Sequence, residues 1–532
     1  MIRSTIATRG MAVAPHSLAA QSALDILREG GNALEGMIAA AATIAVVYPH
    51  MNGIGGDSFW LTYAPGAGVS SIDACGAAGQ RATREFYAAC GVEAIPARGP
   101  LAANTVAGTL SGWELAHRIA HEQWGGRLPF KRLLEDAIHY ARHGIPVTQS
   151  QHDSTAQKLA ELQDQPGFAA HFLDGNAPPR PHSLFVQKAL AATLERIADA
   201  GPRDFYEGDL AVVIAKELSQ LGSPLTLADL ETHRAVEKPA MELEHSAGMI
   251  YNMAPPTQGV ISLIILGLLD RAGVAGLEPM SADFVHRAVE ATKLAFRIRD
   301  RYVTDPAYMS VDPQSLLEKG ALDALAAELD PQRAAPWGSR TNPGDTVWMG
   351  VMDGEGRAVS FIQSIYHEFG SGVVLGQTGV NWQNRGCSFS LDGSALNALE
   401  PGRKPFHTLN PALALLNDGR LMAYGTMGGD GQPQTQAAIF CRYALMGYSA
   451  QESVSLPRWL LGRTWGSHSE TLKLERRFTK DVLDDLAKRG HELERLRSFD
   501  EAVGHAGIVV RHPSGVLEGA ADPRSNGGAA GF

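Results

Sequence analysis

The sequence predicts an α+β fold, helix-rich in its first part and strand-rich in its second. Three observations carry that prediction. Apolar residues recur at helical spacing through Ser17–Glu29, Asn32–Val47 and most of the stretch from Trp113 to about Leu230. From Val347 onward the pattern changes to short strand-like runs, first Val347–Asp353 and then Ala358–Tyr366. Between the two regimes, the composition of residues 331–345 shifts toward Pro, Gly, Ser and Asn, a linker-like boundary that ends at Thr346.

Taken in order, Gly10–Ala14 reads as a strand, and the amphipathic helix Ser17–Glu29 is closed by Gly30-Gly31. Asn32–Val47 is alanine and aliphatic on nearly every side, which predicts a helix buried all round, stopped by Pro49-His50. Gly53-Ile54-Gly55-Gly56-Asp57 leads into a strand, Ser58–Tyr63, and an Ala-Pro-Gly turn joins that strand to Gly68–Asp73. A phosphate loop follows a strand, opens a helix and carries a lysine. This glycine cluster precedes a strand and has no lysine, so it reads as a turn that lets backbones approach closely. The helical stretch beyond is punctuated at Gly125-Gly126, Gly144-Ile145-Pro146 and residues 174–181. Within it His117 and His121 lie four apart beside Glu122, a spacing able to hold a metal, but no third ligand is positioned and the helix reads as a solvated face. Ser281–Tyr302 and Leu316–Leu329 are further helices, separated by the turn Thr304-Asp305-Pro306. After Thr346, Gly354-Glu355-Gly356 forms a hairpin turn, and Ala412–Leu416 and Leu421–Tyr424 are later strands.

A chain of 532 residues can bury a large core, and its length allows roughly two to four domains. Hydrophobic residues at 45% and charged residues at 19% are ordinary for a soluble globular enzyme. A net charge of −11 argues against a nucleic-acid or anionic-membrane surface, which needs concentrated Lys and Arg. Four scattered cysteines, Cys75, Cys90, Cys387 and Cys441, make no disulfide framework and fit a reducing compartment. No signal peptide is read at the N-terminus, and the most apolar stretch, Met37 to Tyr48, falls short of the ~20 residues a membrane span needs. The expectation is a cytoplasmic protein with no cofactor and no metal.

Thr346 stands where a polar loop runs into a buried strand, in Gly344-Asp345-Thr346-Val347-Trp348. A neutral threonine hydroxyl is a poor nucleophile and needs a base within hydrogen-bond reach. Cutting the Asp345–Thr346 bond would supply one, because the new α-amine has an ordinary pKa of roughly 7.7–8.0. The β-methyl stiffens χ1 and holds the oxygen in one direction. The cut can be self-made if the turn Pro343-Gly344-Asp345 strains the preceding carbonyl toward the hydroxyl. Taken alone, a Gly-Asp-Thr tripeptide is usually just a turn entering a strand.

The run from Thr346 to Ser360, followed by Phe369-Gly370-Ser371-Gly372 and Gly379-Val380-Asn381, resembles the start of the small subunit of the γ-glutamyltranspeptidases, which are N-terminal-nucleophile hydrolases. Gly30-Gly31-Asn32-Ala33, Pro49-His50, Gly53-Ile54-Gly55-Gly56, Ala254-Pro255-Pro256-Thr257, Lys293-Leu294-Ala295-Phe296, Asp305-Pro306, Gly428-Gly429 and Asp522-Pro523-Arg524 match that family in order, so the resemblance spans the chain. It implies a four-layer αββα sandwich, with residues 1–345 and 346–532 as two chains of one co-folded unit, an α/β heterodimer able to pair further. It implies Thr346 as nucleophile, Ser364 where the family has a threonine that bonds the nucleophile's amine, and Gly428 and Gly429 as oxyanion-hole donors.

The substrate end departs from the family pattern. Cys75 stands where γ-glutamyl enzymes carry the arginine that grips the substrate α-carboxylate, Tyr366 replaces an asparagine, and Ser388 replaces the aspartate that pairs with the α-ammonium. His407-Thr408 replace paired serines, and Arg385 replaces a glutamine. A pocket that loses a carboxylate and gains an arginine and a histidine favours a plain anion over a zwitterion. These departures resemble the amidohydrolase branch of the family, which includes an oxamate amidohydrolase, and imply an autoprocessing hydrolase of a small anionic amide. The alternatives are γ-glutamyl transfer or glutathione hydrolysis and, in another class, an uncleaved scaffold or binding protein. Cys75 and Cys387 show no activating basic neighbour in the sequence and read as packing residues.

Overall fold

A computed structural model describes residues 3–338, 345–462 and 469–532, with Asp345 described by its backbone alone. The turn expected at Pro343-Gly344 lies outside the described residues. Two antiparallel sheets of seven strands each dominate the molecule. In chain order their strands are β1 (Thr5–Ala7), β2 (Gly10–Ala14), β3 (Asp57–Ala64), β4 (Gly68–Ala74), β5 (Val236–Lys238), β6 (Met241–His245) and β7 (Gly248–Asn252). The later strands are β8 (Asp345–Asp353), β9 (Ala358–Tyr366), β10 (Ala412–Leu416), β11 (Leu421–Thr426), β12 (Ala506–Arg511), β13 (Leu517–Ala521) and β14 (Gly528–Gly531). One sheet has the order β14-β2-β8-β9-β3-β4-β5 and the other β1-β13-β12-β11-β10-β7-β6. Each sheet therefore takes strands from both sides of the Asp345–Thr346 bond.

Side chains alternate between the faces of a strand, and here both faces of both sheets are covered. On β8, Val347, Met349 and Val351 pack with helices α1 (Ser17–Arg28) and α2 (Ala33–Val47). Trp348 and Met352 point the other way, against Leu413, Ala423 and Val509 of the second sheet. That sheet's outer face, with Met422, Tyr424, Ile508 and Val510, packs against α3 (Gly259–Arg271), α4 (Ala282–Tyr302) and α5 (Gly431–Phe440). The result is four layers, helix–sheet–sheet–helix. The alanine-rich α2 is buried at every position, as its all-round apolar sequence predicts. Asn32 caps it, its Oδ1 accepting from the N–H groups of Leu34 and Glu35 at 3.0 Å each.

Trp348 sets how closely the sheets approach. Its indole Nε1 donates to Ser360 Oγ at 3.0 Å, and its ring lies flat over two glycines of the facing sheet. A Cβ at Gly425 would stand 2.2 Å from Trp348 Cδ1, and one at Gly507 2.3 Å from Cζ3. At one end of the sheets the expected glycine turn does what its sequence suggests. A Cβ at Gly55 would meet the Asn381 carbonyl oxygen at 2.2 Å, and one at Gly56 the Ser364 carbonyl oxygen at 2.1 Å.

Two expectations change. The helix expected over Leu316–Leu329 is a 3₁₀ turn, Pro313–Leu317, followed by a shorter helix, Lys319–Ala326. Asp312 caps the first turn and Pro313 fixes its φ, so the chain bends before the longer helix can form. The described part of the linker-like segment is also tied down. Ala335 N–H donates to Glu290 Oε2 at 2.9 Å, and Lys293 Nζ donates to the Ala335 carbonyl at 2.6 Å. This is where Lys293 of the Lys-Leu-Ala-Phe motif is used.

Substituting Gly425 or Gly507 by alanine forces the indole to move and is expected to cost about 1–3 kcal/mol, read as a lower denaturation midpoint. Burial lowers the pKa of His16 to about 4 and those of His50 and His491 to about 3, all below the ordinary 6.5. The unfolded chain therefore binds protons first, so this stability is complete above about pH 6.5 and is lost as pH falls toward the folded values. The melting temperature should drop between about pH 7 and about pH 5, and His50→Gln should make the drop shallower.

Candidate active site

Thr346 is 1% exposed and sits at a break in the β8–β9 register, where Asp345 pairs with Tyr366 and Val347 with Gln363. Such a bulge turns one side chain out of the ladder and recurs beside active sites. The strands next to it bring Ser364 and Tyr366 at the end of β9, Asp57 opposite Ser364 on β3, and Cys75 just past β4 to the same sheet end. From the facing sheet, β11 ends in Thr426 and runs through Met427 into Gly428, Gly429 and the N-terminus of α5. Gln432 on α5 reaches back, its Nε2 lying 3.5 Å from Thr346 Oγ1.

Gly428 and Gly429 have φ of +116° and +52°, a left-handed path that side chains resist. Among the described residues their N–H groups have no acceptor, while their carbonyls accept from Gly431 and Gln432 N–H at 2.8 and 3.1 Å. Gln258 Nε2 also donates to the Gly429 carbonyl at 3.0 Å, which fixes that peptide. Two adjacent free N–H groups at a helix N-terminus suit a developing negative charge. Ser364 Oγ accepts from Tyr366 N–H at 2.8 Å, and Tyr366 holds a φ of +81°, a strained conformation for a non-glycine residue.

Arg385 is buried, its guanidinium carbon 3.6 Å from the centroid of the Tyr366 ring. In the chain turn that places it, residues 385–388, Arg385 and Gly386 are buried, so Arg385 is no surface arginine. Its Nη1 donates to the Phe406 carbonyl at 3.3 Å, and Nη2 has no partner among the described residues. Burial works against its charge, while the Tyr366 ring and Asp57 support it. His407 is fully buried, and neither ring nitrogen has a hydrogen-bond partner among the described residues. Its backbone is fixed on both sides, donating to the Pro256 carbonyl at 2.8 Å and accepting from Gln258 N–H at 2.9 Å. Burial and Arg385 drive its pKa well below the ordinary value, so the ring is neutral. Thr408 Oγ1 and Ser388 Oγ are also buried without partners among the described residues. Buried polar atoms are normally satisfied, so this concentration of free ones marks a place built for a polar guest.

Three carboxylates hidden in the strand pattern also belong here. Asp57 Oδ1 accepts from Gly76 and Gly108 N–H at 3.0 Å each. Asp73 Oδ2 accepts from Lys238 Nζ at 2.6 Å and Lys404 Nζ at 2.8 Å, which together hold its pKa far below the carboxylate range despite burial. Asp430, at the start of α5, is matched by Arg299 at 3.0 Å. The one advance signal for Asp57 was its place directly after the glycine cluster.

The cysteines need a correction, because each does have a basic neighbour. Lys404 lies near Cys75 and Arg385 near Cys387. Burial nevertheless dominates, raising the Cys387 thiol to about 12 and Cys75 well above its ordinary value, the latter helped by Asp73 Oδ1 at 3.1 Å from Sγ. His117 and His121 both direct Nε2 at the Leu128 carbonyl, each at 3.1 Å, and so serve a backbone oxygen. His286, Glu290 and His491 cluster elsewhere, but His286 Nδ1 faces His491 Nε2 at 2.8 Å and Glu290 binds Lys293 at 2.7 Å, so their donor atoms are engaged. A surface cleft of about 700 Å³ beside β6, lined by Glu242, Asp270 and Arg271, contains none of the residues gathered around Thr346 and Arg385. No helix among the described residues is long and apolar enough to cross a membrane.

Four layers with the two sheet ends converging on a threonine, a glycine pair and a helix N-terminus define an N-terminal-nucleophile hydrolase. Residues 19–532 match the family profile described as gamma-glutamyltranspeptidase, and the chain belongs to that family, whose members are autoprocessing enzymes. It is 59% identical, over the full length of both chains, to the oxamate amidohydrolase proenzyme of Klebsiella pneumoniae. It is 40% identical to the glutathione hydrolase-like YwrD proenzyme of Bacillus subtilis, again covering 100% of both. Among solved structures, the cephalosporin acylase from Bacillus halodurans superposes with a TM-score of 0.91 at 31% identity, covering 100% of this chain and 97% of that one.

The buried thiols should resist a soluble thiol reagent under native conditions. Exposed Cys90 is expected to react fast, half-buried Cys387 slowly, and Cys75 and Cys441 only on unfolding, as followed by thiol titration with and without denaturant.

Proposed function

We propose that this protein is an amidohydrolase that cleaves itself before Thr346 and then hydrolyses a small anionic amide, with oxamate as the best substrate. The observation that carries the substrate reading is the buried Arg385 guanidinium with an unpartnered Nη2, stacked on Tyr366 across from Asp345. A zwitterionic γ-glutamyl group would also need a free carboxylate for its ammonium. Ser388 stands where the family's aspartate would and offers only a hydroxyl, Asp73 is taken by two lysines and Asp430 by Arg299, and the one open carboxylate oxygen, on Asp57, lies against His407 on the Arg385 side of the pocket, where the substrate's own carboxylate is drawn. Oxamate asks for less, since its carboxylate adjoins the scissile amide and it has no ammonium. The name of the Klebsiella relative supports the same choice.

In this reading self-cleavage divides the protein into residues 1–345 and 346–532, which stay folded together as an α/β pair. The freed Thr346 amine takes the proton from Oγ1, with Ser364 placed to hold that amine and Gln432 to orient the hydroxyl. Oγ1 attacks the amide carbon while Arg385, His407 and Thr408 hold the carboxylate, and Tyr366 and Cys75 wall the pocket. The tetrahedral oxyanion forms between the Gly428 and Gly429 N–H groups. Ammonia leaves with the proton from the amine, and water then cleaves the threonyl ester, so that oxamate and water give oxalate and ammonium. The four unpaired thiols support a reducing, cytoplasmic setting.

Thr346→Ala is expected to abolish both turnover and the two-band pattern on a denaturing gel; a variant that still splits overturns the assignment. Arg385→Met should raise KM for oxamate about tenfold or more, the ~1.5–3 kcal/mol of a charged hydrogen bond, with self-cleavage retained. Release of glutamate from a γ-glutamyl anilide at a rate matching oxamate hydrolysis would instead establish the γ-glutamyl reading.

A further inference from the structure

Resting on the assignment of Arg385 and His407 to the substrate anion, we propose that Asp57 is a positioning residue that carries a proton while the anion is bound, so that binding is coupled to proton uptake and selects an anion over a zwitterion. Asp57 opens β3 and is 1% exposed. Its two oxygens are used differently. Oδ1 is pinned by the Gly76 and Gly108 N–H groups, which fixes the plane of the carboxyl. Oδ2 makes no well-formed hydrogen bond among the described residues, since the nearby Gln383 amide donates to the Val106 carbonyl at 2.9 Å, and it points toward His407 Nε2, 3.7 Å away, which has no partner either. Two unpaired polar atoms at that separation, both out of water, are costly unless a proton is shared between them or the guest draws them together.

The groups facing Asp57 decide its charge. From residues 385–388 comes Arg385; from the end of β4 come Cys75 and Asp73, with Lys404 on the latter; from the helical layer comes Tyr206. Burial keeps the Cys75 thiol and the Tyr206 hydroxyl neutral, and His407 stays neutral beside Arg385. Asp73 stays ionised between its lysines. Asp430 also feels Arg385 and is raised by burial, but it is matched by Arg299. Asp57, against His407, can change its charge near neutrality, because burial raises its pKa to about 7 against the pull of its two backbone donors, Gln383 and Arg385.

With Asp57 ionised, Arg385 already has its counter-charge and an incoming carboxylate meets a like charge. With Asp57 protonated, its O–H can donate to His407 Nε2, which turns the other ring nitrogen into a donor and frees Arg385 for the guest. An arriving anion therefore pulls the proton onto Asp57. A substrate ammonium does the reverse and favours the ionised form. The two substrate classes thus acquire opposite pH trends from one carboxyl.

Asp57→Asn separates this role from simple packing. Asparagine keeps the Oδ1 acceptor for Gly76 and Gly108 and places an N–H donor where the protonated carboxyl's O–H stands. In the wild type, KM for oxamate should rise about tenfold per pH unit once pH exceeds the Asp57 titration, a slope of one proton. In Asp57→Asn, KM should stay flat over that range, while kcat keeps the pH limb belonging to the Thr346 amine. A wild type with a pH-independent KM, or a variant that keeps the wild-type rise, overturns the role of Asp57 and leaves the substrate reading standing. A wild type that turns over no oxamate at any pH overturns both. Should Asp57→Asn fail to self-cleave, titration calorimetry of the cleaved wild type with oxalate, in two buffers of different ionisation enthalpy at about pH 8, reads the same coupling. Uptake near one proton per oxalate is expected, and no uptake refutes it.

Discussion

The rest of the architecture depends on the contact between Trp348 and the glycines of the facing sheet. Two sheets normally pack about 10 Å apart through interdigitated side chains. Here an indole lies over Gly425 and Gly507, where no side chain intervenes, and is held by its bond to Ser360. Trp348 is two residues from Thr346, and Gly425 is three from Gly428. The packing that joins the sheets therefore also fixes the distance between the proposed nucleophile and the proposed oxyanion donors. Stability and catalytic geometry are one constraint at this point, so a substitution that loosens the sheets also moves the reacting groups apart.

A second support stands behind the glycine pair. The segment carrying Gly504 presses on the loop after β11, since a Cβ at Gly504 would meet the Met427 carbonyl oxygen at 2.4 Å. Gly504 is held in turn by Arg458, which donates to its carbonyl and pairs with Asp522 Oδ2 at 2.6 Å. Asp522 also accepts from Ala506 N–H and pairs with Arg524, and Arg524 pairs with Glu475 at 2.7 Å. These charges are buried and would be costly alone, but each is matched by an opposite charge or a backbone group. They differ in kind from Arg385 and His407, whose open valences face the pocket. The chain has invested its satisfied charges in support and left its unsatisfied ones where a guest arrives.

The parts of this structure that were legible in the sequence are those set by local pattern. Ala358–Tyr366 and Ala412–Leu416 fall where alternation puts them, and α2 is as buried as its alanine content requires. The glycine cluster at Gly55-Gly56 was readable because close backbone approach leaves few other residue choices. The short helix after Asp312 was overextended, because Ala/Leu periodicity carries no information about the 3₁₀ turn that interrupts it. Thr346, Arg385, His407 and the Gly428-Gly429 pair were named from the family resemblance, and in the structure they lie toward one end of the sheets. Asp57 and Asp73 were not found, because an acid in a strand reads as a solvent-facing residue until the lysines and backbone donors from distant segments are in place. Such residues are defined by contacts between separate segments, 51 positions apart for Asp57 and Gly108 and 331 for Asp73 and Lys404. No local pattern encodes those.

The interleaving of strands has a consequence for the life of the molecule. One sheet runs β14-β2-β8-β9-β3-β4-β5, so segments from before and after Asp345 are mixed within a single hydrogen-bonded array. A cut between Asp345 and Thr346 would part only the first rung of β8, Asp345 with Tyr366, and leave the rungs from Val347 onward in place. It does change what folding means. Before the cut the protein assembles as one chain at a rate independent of its concentration; afterwards its two parts would have to find each other, with an order dependent on how dilute they are. The proposed mature protein is thus a state reached through its precursor and kept by a slow exit, and its persistence is set by the barrier to unfolding more than by the equilibrium that formed it.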